Sequence, residues 1–281
     1  MFFNKIGHFI LFGSIYIAIC AIALCLQTSM TLDIPFNKLS FYCFVFGATL
    51  AQYNLHYLVK KKAVKNSKRL AWSMKHKVTH KVLFATGILL ILFSFFGFRL
   101  KHFFILGVLG VISLLYSFPV LPFGKKRIKD YGYLKIITLS LLWTVVTVWF
   151  PAVNHPFDLK LFAFVFMKRF VFMFVLCLIF DVRDIEIDYE ERIHTVAVIL
   201  GKKRSYWLSY MALLLFLLLA VFQNLYYPDI KELWAMVVSS VCTFLIIEVS
   251  KKNHSDIVYL AGIDGMMLLQ PLLIYVFGIM F

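Results

Sequence analysis

Charge is scarce in this 281-residue chain: Asp, Glu, Lys and Arg together make up 15%, where a soluble domain carries about a quarter. With 62% hydrophobic residues and a mean hydropathy of +0.86, the composition excludes a soluble globular fold. Cysteines number five (Cys20, Cys25, Cys43, Cys177 and Cys242), all within apolar runs and none in CxxC or CxxH spacing. That excludes a cysteine-ligated zinc module or a dithiol redox site and leaves core or lipid-facing side chains. No small-residue cleavage site follows the first apolar run, so the expectation is a retained helix, not a cleaved leader. Alternation is missing too: an unbroken apolar run such as 211–220 cannot line a transmembrane barrel. Pro119, Pro151 and Pro271 form no symmetric pair of broken helices, which argues against a secondary transporter.

What is present is a series of apolar segments, each near the roughly 20 residues a membrane crossing needs. Nine are read, at 9–26, 39–59, 82–98, 103–119, 136–153, 159–180, 206–222, 233–249 and 257–281. The basic excess, 29 Lys and Arg against 14 Asp and Glu, sits on alternate connections. Twenty-two basic residues fall on the side that holds the N-terminus and five on the other. A positive-inside bias of that size predicts a cytoplasmic N-terminus, in a multi-pass protein of the inner (cytoplasmic) membrane. The same distribution argues against nucleic acid as the partner. No linker or second soluble region interrupts the series, so residues 1–281 read as a single all-α transmembrane domain.

The few acidic residues are concentrated. Six of the 14 lie between Asp181 and Glu191. On a continuous helix Asp181, Asp184 and Asp188 are spaced i, i+3, i+7 and share one face. Stacked like charges need relief. One reading is a magnesium ion, which takes carboxylate oxygens and completes its shell with water and substrate phosphates. The other is a solvated helix end paired with Arg183, Arg192 and Lys202. Charges inside the apolar segments form a separate feature. Lys168 and Arg169 lie roughly 18 Å along the helix from the aspartates, too far to share one phosphate group with them. A structural ion pair with Asp264 is the expectation there.

The stretch 181–201, with its Asp-x-x-Asp-x-x-x-Asp core, Thr195 and terminal Leu200-Gly201, resembles the second aspartate-rich motif of the UbiA superfamily of intramembrane prenyltransferases. The run Tyr116-Ser-Phe-Pro119 with the basic residues from Lys125 to Lys129 is similar to that family's loop after its fourth helix. The resemblance implies a ring of helices around a central cavity. It implies an isoprenoid diphosphate donor, a lipid-soluble and typically aromatic acceptor, and Mg²⁺. By position it implies catalytic roles for Asp181, Asp184 and Asp188, metal ligation by Asp184 and Asp188, and substrate contacts from Asn54, Lys60, Lys62, Tyr116, Lys125 and Arg192.

The sequence departs from the family in its first aspartate-rich motif. Asn54 is kept, but Leu55, Leu58 and Lys62 stand where the aspartates would be. Leucine cannot ligate magnesium, so fewer ions are expected than is usual for the family. Two functions follow. The chain is a prenyltransferase in which lysines such as Lys60 and Lys62 face the diphosphate, or it is a non-catalytic relative that binds a lipid or a partner enzyme.

Overall fold

The computed structural model describes residues 2–59, 68–117 and 131–280, and every regular element among them is helical. In chain order these are α1 (Phe2–Phe12), α2 (Ile15–Thr31), α3 (Leu39–Val59), α4 (Lys68–Lys75), α5 (Lys77–Ser94) and α6 (Leu100–Ser117). There follow α7 (Gly132–Thr144), α8 (Phe150–Ala152), α9 (Leu159–Arg183), α10 (Ile185–Glu190), α11 (Val196–Tyr226), α12 (Ile230–Lys252) and α13 (Gly265–Met280). π-helical turns at Val145–Trp149 and Val258–Ile263 lead into α8 and α13. Lys60, Lys62 and Lys125 lie outside the described residues, and for Tyr116 only the helical backbone is described.

Among the described residues, each of the nine predicted segments falls mainly on helix. Six helical stretches among the described residues are long and apolar enough to cross a membrane, or seven when the bent α1–α2 pair counts as one. Segment 39–59 forms α3, and the described part of segment 103–119 falls on α6; both helices stand outside that set. The first segment is broken where the sequence reading made it continuous: α1 and α2 meet at 62°. Ser14 there takes a left-handed φ of 65°, the kind of Gly-Ser pair at which helices bend sharply.

The apolar surface points outward. Phe96, Leu100, Leu39 and Leu159 are each at least 75% exposed, as a face solvated by lipid requires. Packing forms two series: α5 lies on α3, α3 on α2 and α2 on α13, while α6 lies on α7, α7 on α9, α9 on α11, α11 on α12 and α12 on α13. The α3–α5 crossing depends on glycine. A Cβ on Gly47 would stand 2.7 Å from the Gly87 carbonyl oxygen, and one on Gly87 would stand 2.6 Å from that of Gly47. α9 is the best covered crossing, with its apolar stretch 61% buried against 22% for that of α5.

The polar side chains in this interior correct the expected ion pair. Lys168 Nζ contacts Glu232 Oε1 at 2.7 Å, and Gln223 donates to the other carboxylate oxygen at 2.8 Å. Arg169 donates to Gln27 Oε1 at 2.9 Å and to the Leu24 carbonyl at 3.4 Å. Asp264 has neither as partner. Glu232, at the start of α12, takes Lys168, and Gln27, on α2, takes Arg169, while the cations nearest in effect to Asp264 are Arg69 and Arg183.

Candidate functional site at the charged end of the bundle

One end of the bundle collects the C-terminus of α9, α10, the start of α7, the ends of α3 and α5, the α1–α2 break, α4, and the connection into α13. The aspartates arrive there because α9 runs apolar from Phe170 to Phe180 and meets its first carboxylate at Asp181. They do not share a single helical face as the spacing predicted. Asp184 leaves ideal helix geometry (φ −91°, ψ 8°), ending α9 and starting α10. The kink divides the three.

Asp181 and Asp188 converge on one cation. Lys135 Nζ, from α7, lies 3.0 Å from Asp181 Oδ1. It also lies 2.9 and 3.2 Å from the two oxygens of Asp188. Both carboxylate side chains are under a tenth exposed. Asp181 Oδ2 is buried with no hydrogen-bond partner. Asp184 instead takes a two-pronged contact from its neighbour Arg183, at 2.8 and 3.1 Å. Burial pushes the Asp188 carboxyl up from its ordinary range, and the adjacent Lys135 ammonium offsets this only in part. The solvated-end reading is realised in part, since Lys202 reaches Glu186 at 3.5 Å on the surface. Arg192 is exposed on a left-handed turn (φ 58°) and lies away from the carboxylates' own contacts.

A second cluster faces the first. Asn54 is fully buried and is held by the fold: its Nδ2 donates to the Gly13 and Leu50 carbonyls at 3.1 and 2.8 Å. Its Oδ1 accepts from His80 at 2.6 Å. Arg69, which the motifs did not single out, uses its backbone N–H on Asp256 at 2.8 Å and its guanidinium on Ser14 at 3.1 Å. That guanidinium lies 4.6 Å above the Tyr57 ring, and its buried Nε has no partner. Arg183 lies 4.8 Å from the Phe180 ring centre and 5.0 Å from that of Tyr259. Arg69 and Arg183 are the two cations acting on Asp264.

Leu200-Gly201, the tail of the acidic motif, has a structural task. Gly201 takes φ 75° inside α11, a conformation that costs glycine little. Thr195 caps α11 by accepting from the Val198 N–H at 3.3 Å.

The second motif offers carboxylate oxygens, one of them unpartnered, and fits a single magnesium ion. The first offers Leu55 and Leu58 and fits none. Among the described residues no group of three or more His, Cys, Asp or Glu side chains is set as a metal cage.

Residues 65–257 match the model of the UbiA prenyltransferase family. No curated protein matches the sequence. Solved structures share the fold over nearly the whole chain. A UbiA homolog from Archaeoglobus fulgidus superposes with TM-score 0.64 at 12% identity, covering 96% of this chain and 98% of its own. The same archaeal protein bound to GPP and Mg²⁺ gives 0.60 at 12% identity, with coverage of 94% and 99%. A structure concerned with digeranylgeranylglyceryl phosphate synthase in membranes gives 0.59 at 14% identity, covering 99% and 100%.

Proposed function

Because the chain belongs to the UbiA prenyltransferase family, we propose that it transfers a prenyl group from an isoprenoid diphosphate to a lipid-soluble acceptor, an aromatic one by preference. The observation that carries this reading is the gathering of three aspartates with Arg69, Arg183 and Lys135 at one end of an otherwise apolar bundle. Guanidinium groups recognise phosphate oxygens with two parallel donors. Lys60, Lys62 and Lys125 would add positive charge on the same side. The prenyl tail would lie in the apolar interior.

In the reaction the C1–O bond of the donor breaks and the diphosphate leaves. The allylic carbon bonds to the acceptor, and the acceptor gives up a proton. Aromatic side chains of the apolar interior would present faces that stabilise positive charge on that carbon, and the apolar walls would keep water from capturing it. Asp181 and Asp188, with Asp184, would hold magnesium. When bound, it supplies Lewis-acid assistance to the leaving group.

Asp184→Asn and Asp188→Asn should each abolish the Mg²⁺-dependent thermal stabilisation given by geranyl diphosphate in detergent, while the ligand-free protein stays folded. Unchanged stabilisation would sink the assignment of these carboxylates.

The charge bias supports an N-terminus on the cytoplasmic side of the inner membrane. Cysteines introduced as Ser67→Cys and Lys231→Cys should label from opposite faces, and labelling from one face would refute the topology.

A second reading, a non-catalytic relative that binds a lipid or partner enzyme, is favoured by Leu55 and Leu58. It predicts that prenyl diphosphate binds without release of diphosphate and without transfer of the prenyl group to an acceptor.

A further inference from the structure

The geometry points to Lys135 as a tethered counter-ion. It occupies the metal's place between Asp181 and Asp188, so that a divalent cation binds only when this ammonium is drawn away. The inference rests on the metal reading above and concerns a residue outside both motifs.

An ammonium carries three donors and no acceptor. All the contacts seen at Lys135 Nζ are spent on this pair of carboxylates, at 2.9, 3.0 and 3.2 Å. Magnesium would need the same oxygens at about 2.0–2.1 Å. An ammonium and a divalent ion cannot both sit between two side chains that already close on one nitrogen. Arg183 treats Asp184 in the same way from the adjacent position. Three carboxylates thus face two built-in cations. The local charge on the empty motif is one negative unit, where bare aspartates would give three. The attraction for a free divalent ion falls accordingly.

The arrangement also supplies its own release. A diphosphate carries oxygens that accept from ammonium and guanidinium groups. When it enters, Lys135 and Arg183 gain a competing acceptor and the carboxylates are freed for metal. Metal and diphosphate then favour each other's binding. By linkage each must raise the other's affinity by the same factor. The unpartnered Asp181 Oδ2 gives the incoming ion a first oxygen.

The test uses Mn²⁺, a hard oxygen-seeking ion like magnesium, followed by electron paramagnetic resonance on detergent-purified full-length protein. Wild type should bind Mn²⁺ weakly by itself, and added inorganic pyrophosphate should tighten it by about tenfold or more, the equivalent of one charge-assisted contact. Lys135→Met removes the ammonium at similar length. It should bind Mn²⁺ alone at least about tenfold more tightly than wild type, with little further gain from pyrophosphate. Lys135→Arg, which keeps the charge, should behave as wild type. Adding Asp188→Asn to Lys135→Met should abolish the gain. Equal Mn²⁺ affinity in wild type and Lys135→Met overturns the inference, as does no Mn²⁺ binding by Lys135→Met. Should Lys135→Met fail to fold, wild type alone decides, and an Mn²⁺ affinity indifferent to pyrophosphate overturns it. Loss of prenyl diphosphate binding with these metal results intact would count against the proposed function and leave Lys135's role standing.

Discussion

Replacing Glu232 with alanine should lower the stability of the folded protein by about 3–5 kcal/mol, the usual cost of removing one partner from a buried ion pair. The partner left behind is Lys168, whose side chain is 6% exposed and whose carboxylate contact among the described residues is Glu232 at 2.7 Å. Gln223, on α11, loses its acceptor in the same step. The carboxylate therefore joins α9, α11 and α12, and its loss strands an ammonium among apolar side chains. Thermal unfolding in detergent would read this as a large fall in midpoint. The double variant Lys168→Met/Glu232→Met should recover most of the loss, because an apolar pair of similar volume often matches a buried ion pair in stability. A fall in the single variant of less than about 1 kcal/mol, the range of solvent-exposed pairs, would mean that water reaches the contact.

Gly132→Ala should be as damaging, through backbone and not charge. The added Cβ would fall 1.4 Å from the His194 carbonyl oxygen and 2.1 Å from its carbon. No rotamer change relieves a clash with main chain. The start of α7 must withdraw from the His194-Thr195 strand of the acidic motif, carrying Lys135, one turn later, away from Asp181 and Asp188. Overpacking a tight site costs about 1–3 kcal/mol and sometimes more, and an approach this close belongs at the upper end. Expression and thermal midpoint should both drop. Gly107→Ala is the control: nothing lies within 4 Å of its Cβ. Alanine in that helix should be neutral or stabilising by about 0.5–1 kcal/mol.

The gap between sequence and structure follows from what each residue depends on. Helices were readable because membrane crossing is a property of a local run; 39–59 matches α3 to the residue. The break at Ser14 was not readable, since an apolar run carries no mark of a bend made by one left-handed residue. Nor was α4, a short helix within a stretch that read as basic loop. The acidic motif was readable because its residues are neighbours in sequence. Lys135 was not: it counted only as one more basic residue in a connection, 46 positions before Asp181. His80, Arg69, Asp256 and Asp264 belong to the same charged end for the same reason, brought together by helix packing that no spacing records. The expected pairing of Lys168 and Arg169 with Asp264 failed because Glu232 and Gln27, on other helices, take the two cations, and no spacing in the sequence marks them as partners.

If this charged end receives an isoprenoid diphosphate together with a metal ion, thermal unfolding of wild-type protein in detergent with geranyl diphosphate, with Mg²⁺, and with both should reveal it. Mg²⁺ alone should have little effect and both together should give a marked rise, since a ligand at a hundredfold excess over Kd adds about 2.7 kcal/mol of stability, worth roughly 5–10 °C in a protein of this size. No rise with both present, under conditions where the protein unfolds cooperatively, would contradict it.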